Sequence, residues 1–267
     1  MHTVSDICLA MERKWPIETA EAWDNVGLLI GKRSAKVSNV LCALDVTDAV
    51  IEQAIEVRAQ MIVAHHSLIH GNGVTKINDD TRLGKAILNL AENGIALYVA
   101  HTNLDSGLGG TNDCLAIKLA LTNIAPLVLG DGDKPFTGRM GRLETPMPIS
   151  DFAGYAAKIL ALPAVNYVGS GMVSNVAVCS GGGAASGFLK RAVAAGCDTY
   201  VTGDVKYHTA HEAAEMGLNI IDATHFGTEI FVAEAVCNYL AKELKINVTI
   251  ANEKNIFKVW KGQTNEN

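Results

Sequence analysis

The sequence has no C-x-x-C pair. Its six cysteines stand at 8, 42, 114, 179, 197 and 237 with no secretory leader ahead of them, and they read as reduced, mostly buried thiols. No apolar run approaches the ~18 residues needed to span a bilayer, so the protein is expected in the cytoplasm and not in a membrane. Clusters of Lys and Arg are missing as well. With a net charge of −6, that argues against a broad phosphate-binding surface and against nucleic acid as a partner, while a small anionic ligand stays open. There is no Gly-x-Ser-x-Gly elbow, and no cysteine stands where a nucleophile is expected. Ser180-Gly181-Gly182-Gly183 could offer backbone N–H groups to a phosphate, but it lacks the P-loop lysine and reads first as an ordinary strand-to-helix turn.

What is present is an alternation of short apolar runs and amphipathic helices over 267 residues, enough to bury a large core. Twenty-five glycines against 6 prolines suit an α/β protein with many strand-to-helix turns. Residues 3 to 14 predict an opening helix stopped by Pro16. Val40 to Leu44 and residues 61–64 predict buried strands, with Thr47 as N-cap of the helix between them. Leu83, Ala86, Ile87 and Leu90 follow helical spacing, Gly94 ends that helix, and a strand at 95–100 follows. A helix near 110–121 completes this half. Pro126, Gly130, Gly132, Pro135, Gly138, Gly141, Pro146 and Pro148 predict a connection over 126–150 carrying one or two short strands. A helix near 151–161 and strands at 174–179 and 199–202 come next. The stripe Ile230, Ala233, Cys237, Leu240, Ala241 and Leu244 then predicts a long helix with Glu229 in its first turn and Thr228 as cap.

The two halves share a pattern. Asp198 to Asp204, ending in His208, lines up with Gln60 to His66, ending in His70; Gly217 to Ile221, followed by His225 and Glu229, lines up with Gly94 to Tyr98, followed by His101 and Asp105. In each an acid lies four residues after a histidine, which fits either a duplication or two strands under similar constraints. The expected fold class is α/β, with two similar lobes of mixed sheet flanked by helices. Residues 1–125 form the first lobe, 126–150 the Pro/Gly-rich connection and 151–267 the second, with a metal site in the cleft between them.

Five residues at the ends of three apolar runs carry the chemistry: His65 and His66, Asp105, then His225 and Glu229. Side chains at the rim where strands end escape the core on a rigid backbone. Two metal ions need about five to eight protein donors with a bridging oxygen or two. Asp105 and Glu229 have two oxygens each and are the bridging candidates; the histidines would be terminal ligands. His65 and His66 can converge only if the strand's pleat ends there. Taken singly, the histidines read as hydrogen-bonded strand ends and the acids as residues of helix starts, and it is the five together that favour metal. His101, Asn103, Asp204, Lys206 and His208 are polar residues at the same expected rim, able to orient substrate or move protons, or simply solvated. The Trp23-Asp24-Asn25 turn is a structural corner or part of a pocket wall.

Four segments resemble the family of dinuclear metal centre proteins called NGG-interacting factor three-like, many of them named GTP cyclohydrolase 1 type 2 homologues. They are Glu21 to Leu28, Ala64-His65-His66, His101 to Asp105 with Gly109 to Asp113, and Thr202 to His208 with Asp222 to Glu229. They fall in the expected order over residues 21 to 229. The resemblance implies that His65, His66, Asp105, His225 and Glu229 hold two divalent ions in a two-lobed α/β protein that assembles as a ring-shaped homohexamer. Ser67, Thr224 and Gly227 depart from the usual Pro, Gly and Ala, and none removes a ligand. The expected function is a metal-dependent hydrolase in which a water bridging the two ions loses its proton near neutral pH. The substrate would be GTP, opened with release of formate, or another small nucleotide or phosphoester; a triphosphate could collect Lys206, Arg139 or Arg142. The alternative is a metal-binding regulatory or scaffold protein acting through protein partners. Zn, Fe, Mn and Co all accept this donor set.

Overall fold

Thr3 starts the first helix with a reciprocal cap: its hydroxyl accepts from Asp6 N–H while the Asp6 carboxylate takes the Thr3 N–H. The computed structural model describes residues 1–70, 73–127 and 137–260. From the N-terminus the elements are β1 (His2–Thr3), α1 (Val4–Lys14), β2 (Gly27–Ile30), β3 (Lys36–Val37), β4 (Asn39–Ala43), α2 (Asp48–Glu56), β5 (Met61–Ala64) and α3 (Arg82–Glu92). There follow β6 (Ala96–Val99), α4 (Thr102–Ser106), α5 (Thr111–Lys118), β7 (Thr122–Pro126), β8 (Arg139–Pro148), α6 (Ile149–Ile159), β9 (Asn166–Val168) and β10 (Met172–Val178). The last are α7 (Ser186–Ala194), β11 (Thr199–Thr202), α8 (Tyr207–Glu215), β12 (Asn219–Asp222), α9 (His225–Glu229), α10 (Val232–Leu244) and β13 (Asn247–Ile250). Thr47 caps α2 as its sequence position implies, its hydroxyl accepting from Val50 N–H. No helix among the described residues is long and apolar enough to cross a membrane.

The chain forms two compact units that are not sequential. Among the described residues, the first gathers 1–70, 73–114, 137–138 and 230–253; the second gathers 115–127, 139–229 and 254–260. The sheet of the first unit has the order β13-β4-β5-β6-β2, parallel except where β2 meets β6. Parallel strands covered on both faces must be apolar throughout. β5 and β6 are buried at every position, and Leu41, Ile51, Ile62, Leu90 and Leu97 lie in one core. The sheet of the second unit has the order β7-β8-β10-β11-β12-β9, with β10, β11 and β12 parallel. Tyr200, fully buried there, hands its hydroxyl proton to Gly183 O at 2.8 Å. In both sheets four strands taken in chain order lie second, third, fourth, first: β4-β5-β6-β2 and β10-β11-β12-β9.

The structure departs from sequence expectation in three places. Residues 230–253 belong with the first unit, not with a lobe running from 151 to 267, because β13 pairs with β4 and α10 packs on α1. Tyr239 on α10 donates to Ala10 O at 2.8 Å and meets the Trp15 ring edge-on at 5.2 Å. The 126–150 connection contains a ten-residue strand, β8, antiparallel to β10. Arg139, Gly141 and Leu143 alternate inward there; Pro146 falls within the irregularity between Arg142 and Met147, where the ladder is interrupted, and Pro148 is the last residue of the strand, opposite Met172. Gly130, Gly132 and Pro135 lie outside the described residues. Finally, Glu229 closes the short helix α9 instead of opening α10, whose N-cap is Phe231. Thr228 is no cap for α10: its hydroxyl lies 2.9 Å from both Thr224 O and His225 O.

Candidate metal centre

In the first unit β5 ends at Ala64, but its ladder continues two residues: His65 N–H bonds Ala43 O and His66 N–H bonds Leu44 O. The chain bends there, so neighbouring residues that a regular strand would send to opposite faces bring their rings to 5.0 Å between centroids. At the end of the adjacent strand β6, His101 leads into α4, a single turn buried along its whole length that carries Asp105. The His101 ring lies edge-on to His65 at 5.0 Å and to His66 at 5.7 Å. His65, His66 and His101 each offer a ligand atom within 4.8 Å of the others, and Asp105 Oδ1 is 3.5 Å from His65 Nε2.

All three rings are fixed in the same sense. His65 Nδ1 is 2.9 Å from Ala100 O, His66 Nδ1 is 2.9 Å from Asp45 Oδ1, and His101 Nδ1 is 3.0 Å from both Asp24 oxygens. A carbonyl oxygen or an ionised carboxylate only accepts, so each Nδ1 donates and Nε2 is the ring nitrogen left to meet a metal ion. This is how imidazoles are oriented toward metals by a surrounding layer of oxygen acceptors. Asp24 is the more enclosed of the two carboxylates, its side chain only 2% exposed against 46% for Asp45. Burial alone would raise its pKa, but hydrogen bonds from His101 and from the Thr102 hydroxyl and N–H outweigh it and hold the carboxyl well below the usual range. The backbone at Asp45 is steadied in turn by Glu253, whose carboxylate accepts from Leu44 N–H at 2.7 Å and Asp45 N–H at 2.9 Å. Burial pushes the Glu253 carboxyl up.

In the second unit β12 ends at Asp222, whose carboxylate accepts from Val205 and Thr224 N–H and fixes the turn into α9. Thr224, where relatives are expected to have Gly, has φ +63°, a conformation that costs a β-branched residue; its hydroxyl offsets part of that by capping Gly227 N–H at 3.1 Å. His225 and Glu229 then face one another across one helical turn, Nε2 to Oε2 at 3.0 Å. His225 Nδ1 is held by Asp204 Oδ2 at 2.8 Å, so a carboxylate oxygen lies against each of its ring nitrogens. Gly181 lies against this pair: a Cβ there would sit 2.1 Å from Glu229 Oε1 and 3.0 Å from His225 Nε2. The glycine-rich turn after β10 is therefore a wall for a carboxylate and an imidazole, a role its sequence did not disclose.

Of the sequence candidates, His65, His66, Asp105 and His101 come together in the first unit, and His225, Glu229 and Asp204 in the second. His208 does not join them: it is exposed on α8 with its ring against Tyr207, and no group of potential ligands among the described residues includes it. Asn103 is buried and bonds Trp15 O, a structural role. Of the suggested triphosphate partners Arg139 is buried, while Lys206 and Arg142, whose Nε donates to Asn175 Oδ1, are exposed. The sequence marked Asp24 only as part of a turn and did not single out Asp45, because their histidine partners lie 77 and 21 residues away. The only signal was that both sit at polar turns.

Residues 2–256 match the model of the Duf34/NIF3 (NGG1p interacting factor 3) family. A GTP cyclohydrolase 1 type 2 homolog from Clostridium acetobutylicum is 36% identical over 232 residues, 85% of each chain. Among solved structures, the Staphylococcus aureus hypothetical protein SA1388 superposes with a TM-score of 0.88 at 30% identity, covering 97% of this chain and 99% of its own. A Bacillus cereus protein related to NIF3 gives a TM-score of 0.87 at 26% identity with the same coverage. The chain belongs to the DUF34/NIF3 family.

Proposed function

We propose that His65, His66 and Asp105, together with His225 and Glu229, hold two divalent ions, and that the protein is a metal-dependent hydrolase acting on a small nucleotide or phosphoester, with GTP ring opening and formate release as the first candidate reaction. The observation that carries this reading is the shared orientation of the imidazoles. Ala100 O, Asp45, Asp24 and Asp204 each lie against the Nδ1 of one imidazole, which leaves the Nε2 of His65, His66, His101 and His225 as the atoms that would meet a metal ion or its substrate. Two bound divalent ions would act as Lewis acids and lower the pKa of water held by them. His65, His66 and His225 would be terminal ligands, and Asp105 and Glu229, with two oxygens each, would be the candidates to serve both ions. His101 presents Nε2 beside His65 and His66, where it can orient substrate or pass a proton. Five protein donors leave coordination positions for water and substrate, as catalytic sites do. The names of the relatives support the choice of GTP. The proposed assembly is a homohexamer in the cytoplasm.

Elemental analysis of protein purified without chelator tests the metal, and formate release from GTP tests the reaction. Wild type is expected to carry bound transition metal and Glu229→Ala to lose most of it. Metal-free wild type would sink the reading. Metal without turnover of GTP or of phosphoesters would favour the second reading, a metal-binding scaffold, which the interaction named in the family description keeps in view. A milder change reads the surrounding layer: Asp45→Ala is expected to weaken metal affinity about ten-fold, the low end of what such partners contribute, because this carboxylate is half-exposed. Metal titration against a chelator measures it.

A further inference from the structure

The turn at residues 21–25 is held more tightly than an ordinary exposed corner requires. Asp24 N–H bonds Glu21 O at 2.9 Å, Glu21 N–H bonds Thr102 Oγ1 at 2.9 Å, and Asn25 Nδ2 donates to Ile69 O at 2.9 Å. The Asp24 carboxylate adds the bonds from His101 and Thr102 already described. In the middle of this network stands Trp23, a residue 69% exposed. A structural corner would turn so large an apolar ring inward, where burial is favourable. Here the ring instead meets His101 edge-on, 6.0 Å between centroids, and His101 belongs to the imidazole triad. A rigid backbone thus displays an uncovered aromatic face beside the atoms that would bind metal.

We propose that Trp23 is the stacking wall of a substrate subsite beside the His65, His66 and His101 triad, and that the substrate carries a planar nitrogen heterocycle of purine or pterin type. The proposal rests on the hydrolase reading and narrows it: the ring lies on the indole while the bond to be cleaved faces the imidazoles. Stacking on one aromatic side chain tolerates different bases, because every base has a π face. The same geometry explains why Asp24 is buried with so many donors. It holds His101 and the mount of Trp23 at once.

Equilibrium binding of guanosine, which has the ring without phosphates, and of tripolyphosphate, which has phosphates without the ring, separates the contributions. Wild type, Trp23→Leu and Trp23→Phe are compared, with metal content measured on each. Guanosine affinity is expected to fall about ten-fold in Trp23→Leu and to stay within about three-fold in Trp23→Phe, with tripolyphosphate affinity and metal content unchanged. The proposal is overturned if guanosine, adenosine and a pterin bind Trp23→Leu as well as wild type, or if none binds wild type. A change in sedimenting mass of Trp23→Leu with ring affinity intact also overturns it, by giving the indole to a second copy of the chain. Wild type that lacks metal yet loses ring affinity in Trp23→Leu would overturn the hydrolase reading and keep the ring site.

Discussion

Asp24→Ala is expected to destabilise the protein by about 3 to 5 kcal/mol at neutral pH, because it strands four donors in a place water does not reach. The carboxylate accepts from His101 Nδ1 at 3.0 Å, Thr102 N–H at 3.0 Å, the Thr102 hydroxyl at 2.6 Å and Asn25 N–H at 2.9 Å, with its side chain 2% exposed. Asn is no rescue, since its amide group would turn a donor toward donors. Urea unfolding at pH 7 measures the loss, and a change below about 1 kcal/mol would contradict this account of the turn. The pH dependence has a defined sign. Burial raises the Asp24 pKa and the hydrogen bonds lower it more, so the folded value lies below the ordinary 3.8. Its stabilisation is therefore complete above the unfolded pKa and is lost as pH falls toward the folded one. The gap between wild type and Asp24→Ala is expected to narrow below about pH 4.

Gly181→Ala is expected to do comparable damage through a single methyl group. At φ +61° an L residue costs roughly 1 to 2 kcal/mol. The added Cβ would also lie 2.1 Å from Glu229 Oε1 and 2.9 Å from its Cδ, so the carboxylate must leave its position. Glu229 is 3% exposed and has little room in which to move. A lower unfolding temperature is expected, and with it a loss of metal affinity of about a hundred-fold or more if Glu229 serves both ions. Gly182→Ala is the control. Nothing lies within 4 Å of its Cβ, and stability is expected to stay within about 0.5 kcal/mol of wild type. Equal behaviour of the two variants would show that Gly181 does not shape the Glu229 carboxylate.

Much of the fold was legible where local rules act alone. The runs 61–64 and 199–202 are apolar or β-branched, and both are strands with those bounds. Thr47 caps the helix that its position implies, and Gly94 follows the end of α3 with φ +65°. Other features depended on contacts that spacing does not encode. The stripe from Ile230 to Leu244 defines an apolar helix face but does not say which sheet receives it; Tyr239, Trp15 and the pairing of β13 with β4 decide that. β8 was obscured because glycine and proline are read as breakers, whereas here Gly141 lies against Leu121, where a Cβ would be only 2.9 Å away, and the prolines fall at the strand's end.

The site divides in the same way. The sequence by itself determined which donors are present and where the backbone delivers them: His65 and His66 after β5, Asp105 in the turn after β6, and His225 with Glu229 after β12. It did so because strand ends and one-turn helices are local features, and a histidine four residues before an acid fixes both on one face. Only the tertiary structure decided which nitrogen each ring offers. That choice belongs to oxygen acceptors at Ala100, Asp45, Asp24 and Asp204, residues 35, 21, 77 and 21 positions from their histidines. It also decided that Trp23 stands exposed next to His101 and that Gly181 is a wall for Glu229. Hydrogen-bond direction and close approach are properties of positions in space, and chain separation carries no record of them.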